Sequence, residues 1–205
     1  MPLSMSGMHL RIGLFKDAYF CKNKNKQRRY QEFDPGAPNQ VWVSDIPCFK
    51  CNGQSCHSCV IIDLYARKVI ANKVGKKNSM QLIKITFKKA RENRQPLSSL
   101  IFHTDRGAYY CSKTLNDYIK MSGITLSFLR PYVPSDNSVI EPFFSSLKRE
   151  ELYRKKYRTE GELLQAIDDY MEFYNTCRPH AKIQYKTQEQ KEREYSSLSG
   201  SYYNE

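Results

Sequence analysis

The chain has 205 residues, 24.1 kDa, and 40% hydrophobic content, which is enough for a packed core and argues against wholesale disorder. No apolar run approaches the roughly 18 residues of a membrane span, and the first ten residues, MPLSMSGMHL, lack the apolar stretch of a signal peptide. Thirty-three basic against 21 acidic residues leave a formal charge of +12, which favours a polyanionic partner, above all nucleic acid.

The predicted elements begin late. Residues 1–38 are basic, polar and weakly periodic, and CKNKNKQRR (Cys21 to Arg29) is nearly all basic or polar. They are expected to be an N-terminal segment or linker, and DPGAPNQ (Asp34 to Gln40) reads as a loop. VWVSDIPCF is a strand with Val41, Val43 and Asp45 on one face and Trp42, Ser44 and Ile46 on the other. The return strand, CVIIDL, is more continuously apolar, as suits a buried strand. Asn52-Gly53 between them is a strong hairpin signal. It sets Cys51 opposite Gln54, Phe49 opposite Cys56 and Cys48 opposite His57. ARKVIANKV follows as a third strand, and Asp63 before it reads as a turn residue paired with Arg67.

That hairpin carries Cys48, Cys51, Cys56 and Cys59, two CxxC pairs. Zinc sites commonly separate such pairs by about 12 to 20 residues, whereas only four residues separate these. Strand alternation turns Cys51 and Cys56 to one face and Cys48, His57 and Cys59 to the other, so four thiolates do not converge. Cysteines packed on a hairpin are the expectation.

Helical spacing then takes over. Met80, Ile83, Phe87 and Ala90 share a face, with Ser79 as cap and Pro96 beyond the end. LSSLIFHTD is a short buried strand that ends at an acid, Asp105. A helix capped by Ser112 follows, burying Leu115, Tyr118 and Ile119 and stopping at Gly123. ITLSF is a strand, and a helix begins near Glu141. The next helix opens with the capping box Thr159/Glu162 and buries Leu163, Ile167, Tyr170, Met171 and Tyr174. Residues 187–205 are expected to be a polar C-terminal tail, with a short helix from Thr187. The order of strands and helices implies an α/β fold, a mixed sheet flanked by helices on both faces.

Asp45, Asp105 and Glu141 fall where strands end and a helix begins, the places where sites form in α/β sheets. Three acids brought together repel unless a cation compensates, and hard divalent ions prefer oxygen ligands. Two such ions about 4 Å apart can activate an attacking oxygen and stabilise a leaving one during displacement at phosphorus. Each acid also has an ordinary reading: Asp45 a surface residue near a strand end, Asp105 a turn former before Arg106-Gly107, Glu141 the partner of Ser138 in a capping box.

The motifs WVSDI, HTDRGAYY and DNSVIEPFFSSLKREEL, with thirty-five residues between Asp105 and Glu141, carry a stronger signal together. With VIIDLYARKVIA and YNTCRPH they make residues 39–186 resemble the catalytic core of integrase-like DDE transposases of bacterial insertion sequences, cousins of retroviral integrases. The resemblance implies an RNase H-like mixed five-stranded sheet. It implies Asp45, Asp105 and Glu141 as catalytic ligands of two Mg²⁺ or Mn²⁺ ions. Its chemistry is cleavage of element ends and attack of the freed 3′-hydroxyls on target DNA. Expected partners are element-end and target DNA, further copies of the chain, and an end-recognition protein from the same element; no membrane is expected, and the location is the bacterial cytoplasm, with the nucleoid. Lys148 shares a helical face with Glu141 and Ser145 and is a candidate DNA contact, alternatively an exposed lysine. Arg106, Arg130, Arg149 and Arg178 are candidate phosphate contacts, although RPH (Arg178 to His180) can equally be a structural corner. His103 shares a face with Asp105 and either orients a carboxylate or packs. The sequence departs from the family pattern at Pro47 and Pro142, each beside a presumed ligand. The alternative is therefore a catalytically inactive, DNA-binding remnant of a transposase.

Overall fold

The computed structural model describes residues 33–51, 54–129 and 140–201. Six strands are present: β1 (Val41–Asp45), β2 (Cys48–Cys51), β3 (Gln54–Asp63), β4 (Lys68–Gly75), β5 (Ile101–Thr104) and β6 (Thr125–Phe128). The helices are α1 (Met80–Arg94), α2 (Lys113–Lys120), α3 (Ile140–Leu147), α4 (Glu160–Thr176) and α5 (Gln188–Ser201). A π-helical turn, Lys148–Leu152, extends α3, and a 3₁₀ turn, Ala181–Ile183, precedes α5.

The six strands occupy five rows. Asp45 pairs with Val60 and Cys48 with His57, so β1 and β2 lie on one line against β3 and keep one register across the gap. Cys51 opposite Gln54, Phe49 opposite Cys56 and Cys48 opposite His57 are the pairs the Asn52-Gly53 signal predicts; the turn residues themselves lie outside the described residues. The interruption falls at Pro47. Ser58 N–H donates to the Pro47 carbonyl at 3.2 Å, but proline cannot return the second bond of an antiparallel pair. β3 pairs antiparallel with β4 on its other edge, and β1, β5 and β6 run parallel, giving a mixed sheet.

The sheet separates two apolar clusters. On one face Val41, Val43, Val60, Ile62 and Val69 pack against Ile140, Phe143, Phe144 and Leu147 of α3 and the α4 stripe. Leu163, Ile167, Tyr170, Met171 and Tyr174 are all buried, as the helical period requires. On the other face Trp42, Ile61 and Phe102 meet Leu82, Ile83, Phe87 and Ala90 of α1 and Leu115 and Ile119 of α2. Ser79, Ser112 and Thr159 cap their helices by accepting from the N–H of Leu82, Leu115 and Glu162. Gly123 takes φ +75° after α2, a conformation that strains any side chain.

Asp63 differs from its expected pairing. It is fully buried and accepts from the N–H groups of Asn39 and Tyr65, and its ion partner is Arg94 at the end of α1, not Arg67. Burial holds its carboxyl above the ordinary range, while those donors and Arg94 pull the other way. Arg94 also holds Glu192 of α5, which Lys68 contacts at 2.8 Å. The helix from residue 187 is thus longer than the pattern suggested: Thr187 caps it, and Glu192 fastens it to β4 and α1.

Candidate active site

Ser44 and Thr104 form the last register pair of the parallel strands β1 and β5. Asp45 ends β1, and Asp105 follows β5 by one residue, so the two acids stand at the carboxyl ends of neighbouring parallel strands. They line one small cleft of about 50 Å³ together with Ile46, Asn78, Gly107, Ala108, Tyr109 and Tyr110. That is room for an ion or a few waters.

Asp105 turns back on its own loop. Gly107 N–H donates to Asp105 Oδ1 at 3.0 Å, closing the local turn that the Asp-Arg-Gly sequence favours. Burial pushes the Asp105 carboxyl above its usual range, and the Gly107 bond only partly opposes this. A methyl at Gly107 would sit 3.0 Å from Asp105 Oδ1 and 3.3 Å from Oδ2, so glycine keeps space open at the carboxylate. The Asp45 carboxylate accepts from Ile46 N–H at 2.7 Å. Two carboxylates, one of them penalised for burial, form the all-oxygen donor set that hard divalent cations take. They fit such an ion: Asp45 and Asp105 would hold it, and its charge would offset the cost of burying Asp105.

Glu141 lies in the first turn of α3, exposed, on the helix that packs over the β1 face carrying Val41 and Val43. Its candidate cap, Ser138, lies outside the described residues. Among the described residues, no three His, Cys, Asp or Glu side chains approach closely enough to hold an ion. The structure brings Asp45 and Asp105 into one cleft, whose lining does not include Glu141. Pro142 falls in the same first turn, where a helix has no use for the missing N–H.

The candidate DNA contacts separate into two kinds. Arg106 and Arg149 are exposed, Arg106 donating to the Leu129 carbonyl at 2.7 Å and Arg149 standing 3.5 Å from Glu150. Lys148 begins the π turn and is half-buried. Arg178 is engaged within the protein, donating to both Glu150 oxygens at 2.8 Å. Arg130 lies outside the described residues. His103 is 4% exposed, with Nδ1 3.0 Å from Ser127 Oγ and its ring edge-on to Phe33.

The cysteines divide as strand alternation requires. Cys56 is buried in the α3–α4 cluster and Cys59 in the α1–α2 cluster, on opposite faces of the sheet. Burial raises the Cys59 thiol to about 11, far from a thiolate ligand at neutral pH.

The integrase core domain family matches the chain over residues 35–134 and again over 122–187. The transposase for insertion sequence element IS904 of Lactococcus lactis is 30% identical over 191 residues, covering 88% of this chain and 75% of its own length. The chain belongs to the integrase-core family of insertion-sequence transposases, enzymes of the polynucleotidyl-transferase class. The putative transposase InsK for IS150 of Escherichia coli is 29% identical over 75% of the chain, and the chain spans 54% of that relative's length. In three dimensions the chain is similar to a chain in the structure of the simian T-cell lymphotropic virus intasome in complex with PP2A regulatory subunit B56 gamma (TM-score 0.67, 20% identity, 78% of this chain and 56% of that one). It is also similar to the HTLV-2 integrase catalytic core solved with magnesium (TM-score 0.59, 18% identity, 76% of this chain and 97% of that one). These likenesses show the RNase H-like integrase-core fold. Gly107 and Tyr110 of the cleft were not singled out by sequence; the Asp-x-Gly turn signal pointed to the first, and nothing local pointed to the second.

Proposed function

We propose that this chain is the metal-dependent catalytic core of a DDE transposase that cuts the ends of its element and joins them to target DNA. The observation that supports this most is the placement of Asp45 and Asp105 at adjacent parallel strand ends in one cleft. A divalent cation, Mg²⁺ or Mn²⁺, would activate the attacking oxygen and stabilise the leaving one. The chain's own part is to hold that ion through Asp45 and Asp105, with Glu141 joining from α3 once DNA and metal are bound. Arg106, Arg149 and Lys148 face phosphates, Arg130 is a further candidate, and the +12 charge draws the duplex in. Arg178 serves the fold first. Element-end and target DNA, further copies of this chain, and a separate end-recognition protein are the proposed partners. The proposed location is the bacterial cytoplasm; among the described residues no helix is long and apolar enough to cross a membrane.

A second reading, an inactive DNA-binding remnant, is favoured by one observation: among the described residues Asp45, Asp105 and Glu141 do not form a three-ligand group. The experiment that separates the two incubates the full chain with Mg²⁺ or Mn²⁺ and labelled duplexes carrying the inverted repeats that flank its gene. An active core yields cleaved and strand-transfer products that vanish in Asp105→Asn. Salt-sensitive DNA retardation without products in either metal supports the remnant. Products that survive Asp105→Asn remove the assigned site.

A further inference from the structure

We propose that Tyr110 is a positioning residue, whose hydroxyl, bonded to Ser44, fixes the loop that carries Asp105 against the strand that carries Asp45. This rests on the reading that Asp45 and Asp105 hold the cation. Tyr110 Oη and Ser44 Oγ are 2.7 Å apart, and both residues are buried, at 3% and 2% exposure. Ser44 precedes Asp45 in β1, and Tyr110 is five residues beyond Asp105. The loop is therefore fastened to β1 twice, by the Ser44/Thr104 strand pair before Asp105 and by the hydroxyl pair after Gly107. Cys59 Sγ, 3.8 Å from Ser44 Oγ and 4.0 Å from Tyr110 Oη, joins this pair to the buried Thr86, so a small polar group lies beside the α1–α2 apolar cluster.

Its setting is what suggests a role beyond packing. Tyr110 belongs to the same apolar cluster as Trp42, Ile61 and Phe102, a setting that a phenylalanine ring would also suit. Replacing both members of a buried hydroxyl pair by apolar groups of similar shape is close to neutral for stability, whereas leaving one unpaired is costly. The fold alone does not call for this pair. A cation held by two carboxylates does call for a fixed spacing, and groups that orient ligands typically contribute 10- to 100-fold in metal affinity.

The test compares wild type, Tyr110→Phe, the double variant Ser44→Ala/Tyr110→Phe and Asp105→Asn. Mn²⁺ affinity is read by electron paramagnetic resonance and melting temperature without metal by circular dichroism. The double variant is expected to melt within a few degrees of wild type yet bind Mn²⁺ about tenfold more weakly. Tyr110→Phe alone is expected to weaken binding by a similar factor. Retardation of duplex DNA in the absence of metal is expected to be unchanged in both. Wild-type Mn²⁺ affinity in the double variant or in Tyr110→Phe overturns the positioning role while leaving the site reading intact. Melting and affinity that collapse together in both variants overturn it too, since Tyr110 is then structural. Asp105→Asn that binds Mn²⁺ like wild type, or a wild type that does not bind it, overturns the site reading and this inference with it.

Discussion

Arg178 holds Glu150 through two bonds, Nε to Oε2 and Nη2 to Oε1, each 2.8 Å long. Tyr170 donates to the same carboxylate at 2.9 Å, and Arg178 reaches Ser146 Oγ at 3.3 Å. The guanidinium also stands over the Tyr174 ring, 5.8 Å from its centre. One arginine beyond α4 thereby fastens α3 and its π turn, the segment bearing Glu141 and Lys148. Arg178→Ala is expected to cost about 1.5–3 kcal/mol, the range for hydrogen bonds to charged groups, measured by urea unfolding. Arg178→Lys should recover only part of this, because an ammonium cannot reproduce the bidentate fork. A variant that unfolds like wild type but releases DNA would make Arg178 a phosphate contact instead.

Asp105 sets site against fold. Burial disfavours its charged form, and the described structure opposes this only through Gly107 N–H. Asp105→Asn keeps the acceptor and removes the charge, so the metal-free protein should gain stability, by about 1 kcal/mol. The same change should abolish stabilisation by Mn²⁺. For wild type that stabilisation approaches about 2.7 kcal/mol at a hundredfold excess over the dissociation constant. Thermal melts of both proteins with and without Mn²⁺ read the two effects together, and an Asn variant stabilised by Mn²⁺ as strongly as wild type contradicts the assignment.

Gly107 offers a finer test of the same carboxylate. An alanine methyl there would stand 3.0 Å from Asp105 Oδ1, tighter than nearly all real contacts, and the side chain would have to turn. Gly107→Ala is expected to weaken Mn²⁺ binding about tenfold, a change of 1.4 kcal/mol, with the metal-free melting point little altered. Equal Mn²⁺ affinity in the two proteins would mean that the carboxylate's present orientation does not matter to the ion.

What the sequence disclosed was what depends on near neighbours. The Asn52-Gly53 signal carried the hairpin register because turn chemistry and side-chain alternation determine it locally. Ser79, Ser112 and Thr159 were legible for the same reason, each cap being settled within three residues. Asp63 was misread because its partner Arg94 lies thirty-one residues away, at the far end of a helix, while Arg67 was merely near in sequence. Pro47 and Pro142 looked damaging in one dimension. The structure places the first at a break between β1 and β2, where one bond of the pair survives, and the second in a first helical turn. Asp45 and Asp105 were readable as strand-end acids. The Tyr110–Ser44 bond joins residues sixty-six apart and had no local signal.

The RPH corner predicts an acid response in two stages. His180 Nδ1 accepts from Lys182 N–H at 3.2 Å, which only an unprotonated ring nitrogen can do. Burial, followed by the charges of Arg67, Arg178 and Lys182, lowers its pKa from 6.5 to about 4. The unfolded chain therefore takes up this proton first. The stability involved is fully present above pH 6.5 and drains as pH falls toward 4. Glu150 acts lower down. Its carboxyl is depressed from 4.5 to about 2, chiefly by Arg178, so its contribution is intact above pH 4.5 and lost as pH falls through about 2. Because His180 is only half-buried, its slope should fall below the one-proton limit of about 1.4 kcal/mol per pH unit. His180→Asn offers a neutral oxygen to the same N–H, so it should flatten stability between pH 6.5 and 4.5 and leave the lower stage in place. Urea unfolding across that range reads the slope directly. A slope that persists in His180→Asn would place the proton uptake elsewhere, and the loss of the lower stage alone in Glu150→Gln would still identify the Arg178 pair.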